Sequence, residues 1–403
     1  MRIHASFQNV GLSRIVQVSE RARALAPEFE SRTGEPFIYF QRGEVGYPAP
    51  AFLADALAEA VQKGWTKYPR SGGEGFFKDA VLADLAARGI AGLGPENLVA
   101  TLGGQEGLEL VFAACRGGRC AGFTPAWSCL FDNIFPYTET TFVPVPLLSD
   151  RGWAIDWRAL EAVLPSVETF YFNSPHNPTG RVFQRADVER LCLMCEEHGV
   201  VLVCDEAYRD LAYEGEHYSP LADERWSNVL SVNTFSKALA ATGFRIGFTA
   251  SRRAEWIELL TRGEYTQTAG PPTPIQYAVS RALAHPGYAA WLRAYRAEMV
   301  LRARTLAQTL DARLGANPPQ GAFYCFIDAA PRGGGTPDPA AAEADMVERL
   351  MQNGVAVVPG SAFGAQFTGW VRLSFSTLSP DLIRAGAARF NRVLLGQHAA
   401  GPA

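Results

Sequence analysis

Between residues 98 and 250 the chain alternates short apolar runs with stretches of helical periodicity, and this restricts the fold more than any other feature. Residues 98–102, 169–172, 200–204 and 230–233 read as short strands that are largely apolar on both faces, as strands buried inside a parallel sheet are. Between them, residues 106–115 and 187–198 carry helix-like patterns. The alternation predicts an α/β fold with a mainly parallel sheet flanked by helices. Further on, 288–314 reads as a long helix, 322–328, 355–358 and 370–375 as strands, and 331–339 (PRGGGTPDP) as a loop. A smaller α+β domain is therefore expected in the C-terminal quarter. The expected divisions are an N-terminal segment at 1–48 packing with that small domain, a large domain at 49–287, the small domain at 288–395, and a frayed tail at 396–403.

The 403 residues are 48% hydrophobic and 19% charged, enough apolar material for a sizeable core. The formal net charge of −4 argues against generic binding of nucleic acid or an anionic membrane. No run of 18 apolar residues suggests a membrane span, and the first 20 residues lack the apolar core of an export signal. Seven scattered cysteines fit a reducing cytoplasm better than a disulfide framework. Cys192 and Cys195 form a C-x-x-C, but with Val188 and Leu191 they make an i, i+3, i+4, i+7 stripe. That is the buried face of a helix rather than a metal or redox motif.

Chemistry-bearing residues collect where the strands end, which is where open α/β sheets bind ligands. After 98–102 comes Gly103-Gly104-Gln105-Glu106, a glycine turn leading into a helix N-terminus, an arrangement that suits a phosphate. After 169–172 comes Asn173-Ser174-Pro175-His176-Asn177-Pro178-Thr179-Gly180, rich in turn formers. After 200–204 comes Asp205-Glu206-Ala207-Tyr208. A carboxylate so close to a buried strand is costly unless paired, so a cationic partner is expected for Asp205. After 230–233 comes Thr234-Phe235-Ser236-Lys237, then Gly243-Phe244-Arg245-Ile246-Gly247. Lys237, beside an apolar strand and among small residues, is a candidate for a depressed pKa and covalent chemistry. An amine nucleophile, an anion cradle with its own cation, and a buried acid are together what pyridoxal phosphate requires.

These motifs resemble the class I/II aminotransferases of pyridoxal-phosphate fold type I, from about Tyr39 to Leu394. The resemblance rests on Asn177-Pro178-Thr179-Gly180, Asp205-Glu206-Ala207-Tyr208, Ser236-Lys237 with Gly243-Phe244-Arg245-Ile246-Gly247, and the run 355–364 (VAVVPGSAFG) followed by Trp370-Val371-Arg372-Leu373-Ser374. It implies that Lys237 forms the Schiff base and moves the proton, that Asp205 keeps the pyridine nitrogen protonated, and that Tyr208 and Asn177 bond the ring oxygen. It implies Trp127 on the ring face, and Gly104, Gln105, Thr234, Ser236 and Arg245 around the phosphate. Tyr68 would reach the phosphate from a neighbouring subunit, which implies a homodimer with shared sites. Arg372 would clamp the substrate α-carboxylate, and Gly43 would lie where the N-terminal segment covers the substrate.

The activity so implied is ping-pong transfer of an amino group from an L-amino acid to a 2-oxo acid. The same fold also supports elimination, cyclisation or oxidation of an amino acid, including an arginine-like one, since Glu106 and Glu44 lie where an acid would attract a cationic side chain. No second arginine for an acidic side chain is evident in the motifs. A non-catalytic regulator fused to a DNA-binding module is disfavoured, because the segment before Tyr39 is too short for such a module and Lys237 is intact.

Overall fold

The computed structural model describes residues 4–330 and 338–396. Its centre is an eight-stranded sheet of β1 (Leu98–Thr101), β2 (Arg119–Thr124), β3 (Thr141–Leu148), β4 (Ala154–Ile155), β5 (Thr169–Asn173), β6 (Val201–Asp205), β7 (Val229–Thr234) and β8 (Gly247–Ala250). The spatial order is β1-β8-β7-β6-β5-β2-β3-β4. The run from β7 to β3 is parallel, while β8 is antiparallel to both neighbours and β4 to β3. The sheet is thus mainly parallel, as expected, and β1 and β5 are buried throughout. Helix Arg185–Glu197 buries Val188, Leu191, Cys192 and Cys195 on one face, so the C-x-x-C is core.

The pairing register brings the chemistry together. Asn173 lies opposite Asp205, Asp205 opposite Val232, and Thr234 and Thr101 both opposite Gly247. The polar ends of β5, β6 and β7 therefore share one edge.

Four strands of this sheet, β2, β3, β4 and β8, were not expected, nor was the short strand Ile38–Tyr39. β3 carries Pro144 and Pro146, which break the usual strand signal. They fit because only Leu147 and Leu148 pair on its outer side, with β4. β2 and β8 each contain a glycine, which weakens the strand signal, and β8 has only four residues.

A second group of strands lies in the C-terminal region. Tyr324–Asp328, Trp370–Ser374 and Val358–Pro359 form an antiparallel sheet, and Ile38–Tyr39 pairs in parallel with Val355–Ala356. The expected strand at 355–358 is thus two strands serving different sheets. Ile38 and Phe40 share a core with Tyr295, Met299, Leu373 and Phe390. These separate sheets support domain boundaries near residues 48 and 287, which we propose.

The expected helix at 288–314 ends earlier, at Thr309. Leu310 is extended, and a short 3-10 turn follows, capped by the Asp311 side chain. Of the expected loop, residues 331–337 lie outside the described residues, as do residues 397–403 of the tail; helix Pro339–Gln352 starts on an Asp338 cap. No helix among the described residues is long and apolar enough to cross a membrane.

Candidate active site

A cavity of about 550 Å³ opens at the shared strand edge. It is lined by Gly43, Gly104, Gln105, Trp127, Asn177, Asp205, Tyr208, Thr234, Ser236, Lys237, Arg245 and Arg372, so twelve of the thirteen residues singled out from the sequence meet there. Tyr68 does not, and its side chain is 92% exposed.

Lys237 sits on the short helix Phe235–Ala238, which follows β7 and is capped by Thr234 through the Ser236 N–H. Its Nζ donates to the Gly43 carbonyl at 2.7 Å. Burial first, then the nearby Arg245, lowers its pKa to about 8, against the opposing pull of Glu44. Asp205, at the end of β6, accepts from the Tyr171 hydroxyl at 2.7 Å and from the Ala207 N–H at 3.1 Å. Burial raises its pKa to about 6. The expected cation is not supplied by the protein: Asp205 forms no ion pair among the described residues, and its partners are a phenol and an amide. A buried acid held this way is matched to a cationic group that enters the cavity.

The anion cradle is equally plain. Gly103 has a left-handed φ of +80°, and a Cβ there would lie 3.2 Å from Arg245 Nη2. Helix Gly103–Ala114 begins here, so its first amides face the cavity from the Gly104–Gln105 turn. The Thr234 and Ser236 hydroxyls lie 2.9 Å apart beside it. Arg245 itself has a φ of 51° and donates to the Leu102 and Thr242 carbonyls. Donors of this number and charge suit a phosphate dianion.

Arg372 is only 1% exposed. It donates to Asn177 Oδ1 at 3.2 Å and to the Gln41 carbonyl at 3.0 Å, and its guanidinium lies 4.3 Å over the Tyr324 ring. It has no carboxylate partner among the described residues, so an incoming carboxylate would complete it.

Several residues at this site were not picked out from the sequence. Tyr171 holds Asp205. The Tyr324 hydroxyl lies 2.9 Å from that of Tyr208. Ile15, Ser19, Arg23 and Arg42 also line the cavity. Glu106, in contrast, turns away from it. Its carboxylate accepts from the Leu102 N–H and the Thr268 hydroxyl, closing the glycine turn as a first-turn residue does.

Behind Glu106 lies Glu264, fully buried, with one oxygen 3.4 Å from the Thr268 hydroxyl and the other without a partner among the described residues. Burial, then Glu106, pushes its pKa up to about 7. A raised carboxyl contributes stability in its neutral form, fully present below the ordinary carboxylate range and lost as pH rises through about 7. Glu264→Gln should leave Tm near pH 4 little changed and raise it by about 2 °C or more at pH 8, as thermal melts at both pH values would show.

The family model for aminotransferase class I and II matches residues 36–390. The chain belongs to the class I/II aminotransferases. It is 33% identical over 395 residues to the aspartate/prephenate aminotransferase of Thermus thermophilus, an alignment covering 95% of this chain and 99% of that one. It is 29% identical to an aspartate aminotransferase of a Bacillus species, over 87% and 89% of the two chains. The structure of the Thermus thermophilus aspartate aminotransferase with maleate superposes with a TM-score of 0.87 at 31% identity, covering 98% of this chain and 100% of that one. An aminotransferase from Mycobacterium tuberculosis superposes at 0.86 with 26% identity, covering 98% and 100%. The fold is pyridoxal-phosphate fold type I and the enzyme is a pyridoxal-phosphate-dependent aminotransferase. The buried amine, the acid without a cation and the phosphate cradle fit that cofactor.

Proposed function

We propose that this aminotransferase carries out transfer between an L-amino acid and a 2-oxo acid with Lys237, Asp205, Arg372 and the Thr234–Ser236–Arg245 cradle as its working parts. The observation that carries these assignments is the meeting, in one cavity, of a buried amine, a buried acid without a cation and a buried arginine without a carboxylate. Bound pyridoxal phosphate supplies an electrophilic carbon for amines and a ring that takes up the electron pair left on Cα. Lys237 would hold the cofactor through its amine, and the same Nζ would take up the Cα proton of the substrate. Its pKa near 8 leaves part of the amine neutral at physiological pH, as a base requires. Asp205 would hold the proton of the pyridine nitrogen. The Gly104 and Gln105 amides, Thr234, Ser236 and Arg245 would take the phosphate. Tyr208 and Asn177 would bond the ring oxygen, Trp127 would supply an aromatic wall, and Gly43 would lie where the covering segment meets the substrate.

Arg372 takes the α-carboxylate through its planar fork. Arg372→Lys keeps the charge but loses the fork, and should raise KM for the amino donor by about tenfold to a hundredfold with a smaller change in kcat, read from initial rates.

We further propose a homodimer in which Tyr68 reaches the neighbouring subunit's cavity. Support comes from its exposure together with that of Leu259 and Tyr265. A reducing cytoplasm is supported by the cysteines, all seven of which are free thiols.

Because relatives are named for aspartate, it is the donor to try first. The loaded enzyme is mixed with L-aspartate and no acceptor. Aminotransfer releases one 2-oxo acid per site, stops, and resumes when a second 2-oxo acid is added. Continuous release of ammonia without an acceptor would indicate elimination instead. The named relatives are aminotransferases, and none favours that route.

A further inference from the structure

Two arginines at the cavity mouth have no part in the chemistry described so far. Ile15, Ser19 and Arg23, spaced by four on helix Arg14–Thr33, share one face and line the cavity. Arg42 lines it from the segment that follows strand Ile38–Tyr39. That segment is pinned on either side of Arg42: the Gln41 carbonyl accepts from Arg372 at 3.0 Å and the Gly43 carbonyl from Lys237 at 2.7 Å. The Arg42 guanidinium lies 4.3 Å over the Tyr39 ring, a ring within electrostatic reach of Arg23 as well.

Of the other arginines of the same helix, Arg14 pairs with Asp132 and Arg21 with Glu348, while Arg32 donates to the Gln352 carbonyl. Arg23 and Arg42 pair with no carboxylate among the described residues. Glu44 also lines the cavity, but its carboxylate accepts from the Thr242 hydroxyl. The cavity thus offers the Arg372 clamp, apolar side chains that include Leu108 and Trp127, and two arginines without a carboxylate partner among the described residues.

We propose that Arg42, assisted by Arg23, binds a carboxylate at the far end of the substrate side chain, so that the enzyme selects dicarboxylic amino acids and 2-oxo acids. The assignment rests on the reading of Arg372 as the α-carboxylate clamp. Arg42 is half-buried and Arg23 exposed, so Arg42 carries the larger share; an exposed charge is screened by water and salt.

The test is an equilibrium titration of the cofactor-loaded enzyme with succinate, a four-carbon dicarboxylate, and with butyrate, which has the same length and one carboxylate, followed by visible absorbance. Rates with aspartate and leucine are measured alongside. The wild type should bind succinate more tightly than butyrate. Arg42→Gln should weaken succinate by about tenfold, and Arg23→Gln by about twofold to fivefold. Butyrate should shift by less than about twofold in either variant, and the aspartate-to-leucine ratio of kcat/KM should fall in step with succinate affinity. Arg23 is on an exposed helix face, so its variant tests the pair even where Arg42→Gln misfolds. Equal succinate affinity in wild type and variants overturns the assignment, as does a wild type that binds succinate no better than butyrate. Succinate binding that depends on Arg42 in an enzyme transferring no amino group upholds the assignment and overturns the reaction; transfer with unaltered succinate binding does the reverse.

Discussion

Lys237→Ala should lower turnover by at least about 10⁴-fold, at the upper end of what a positioned acid–base group contributes. Two functions are lost at once. No other lysine among the described residues lines the cavity, so no amine would remain there to hold the cofactor covalently. The base for the Cα proton goes with it. The environment of Lys237 suits both proposed roles, since burial and Arg245 depress its pKa while Nζ donates to the Gly43 carbonyl. Added methylamine should restore part of the proton transfer, because the cavity can admit a small free base. Borohydride reduction of the wild-type holoenzyme should fix the cofactor to the peptide containing Lys237. Label recovered on a different lysine would refute the assignment.

Asp205→Ala should cost about 10²- to 10³-fold in kcat, the range seen when one preorganised electrostatic group is removed. In the cofactor-free protein the Asp205 carboxyl is raised to about 6 by burial. A cationic ring nitrogen beside it favours the carboxylate and is itself favoured, so each keeps the other charged. Tyr171 holds the carboxylate in place from behind. On the proposed role, a ring nitrogen without Asp205 would lose its proton near neutral pH and leave the ring a poorer electron acceptor. The measurement is single-turnover kinetics with a deuterated Cα, where the isotope effect should rise as proton abstraction becomes limiting. Near-normal rates would mean that another group holds the nitrogen.

How much of this was legible in the sequence follows from where each residue sits. Asn177, Asp205, Thr234, Ser236 and Lys237 lie at or just after the ends of apolar strands, and a polar residue at the end of an apolar run is a local signal. Tyr68 was legible only through resemblance. Tyr171 and Tyr324 were missed because each lies within a strand and reads as core until its hydroxyl partner is known. Arg23 and Arg42 were missed because nothing in a motif marks them. The spacing of Ile15, Ser19 and Arg23 would have placed them on one helix face, but which face meets the cavity is a tertiary fact. β3 was missed because two prolines disguise a strand whose outer side is almost unpaired.

The parts that do the chemistry and the proposed readers of the substrate's far end come from different stretches of chain. Lys237, Asp205 and the proposed phosphate cradle hang from the sheet edge, whereas Arg23 and Arg42, with Ile15 and Ser19 beside them on the cavity wall, belong to the first 42 residues. On the proposed assignment donor choice is a modular trait, and a library confined to those four positions is expected to shift it toward neutral or basic amino acids without touching Lys237, Asp205 or the strand-edge residues, which makes the N-terminal segment the place to begin redesign.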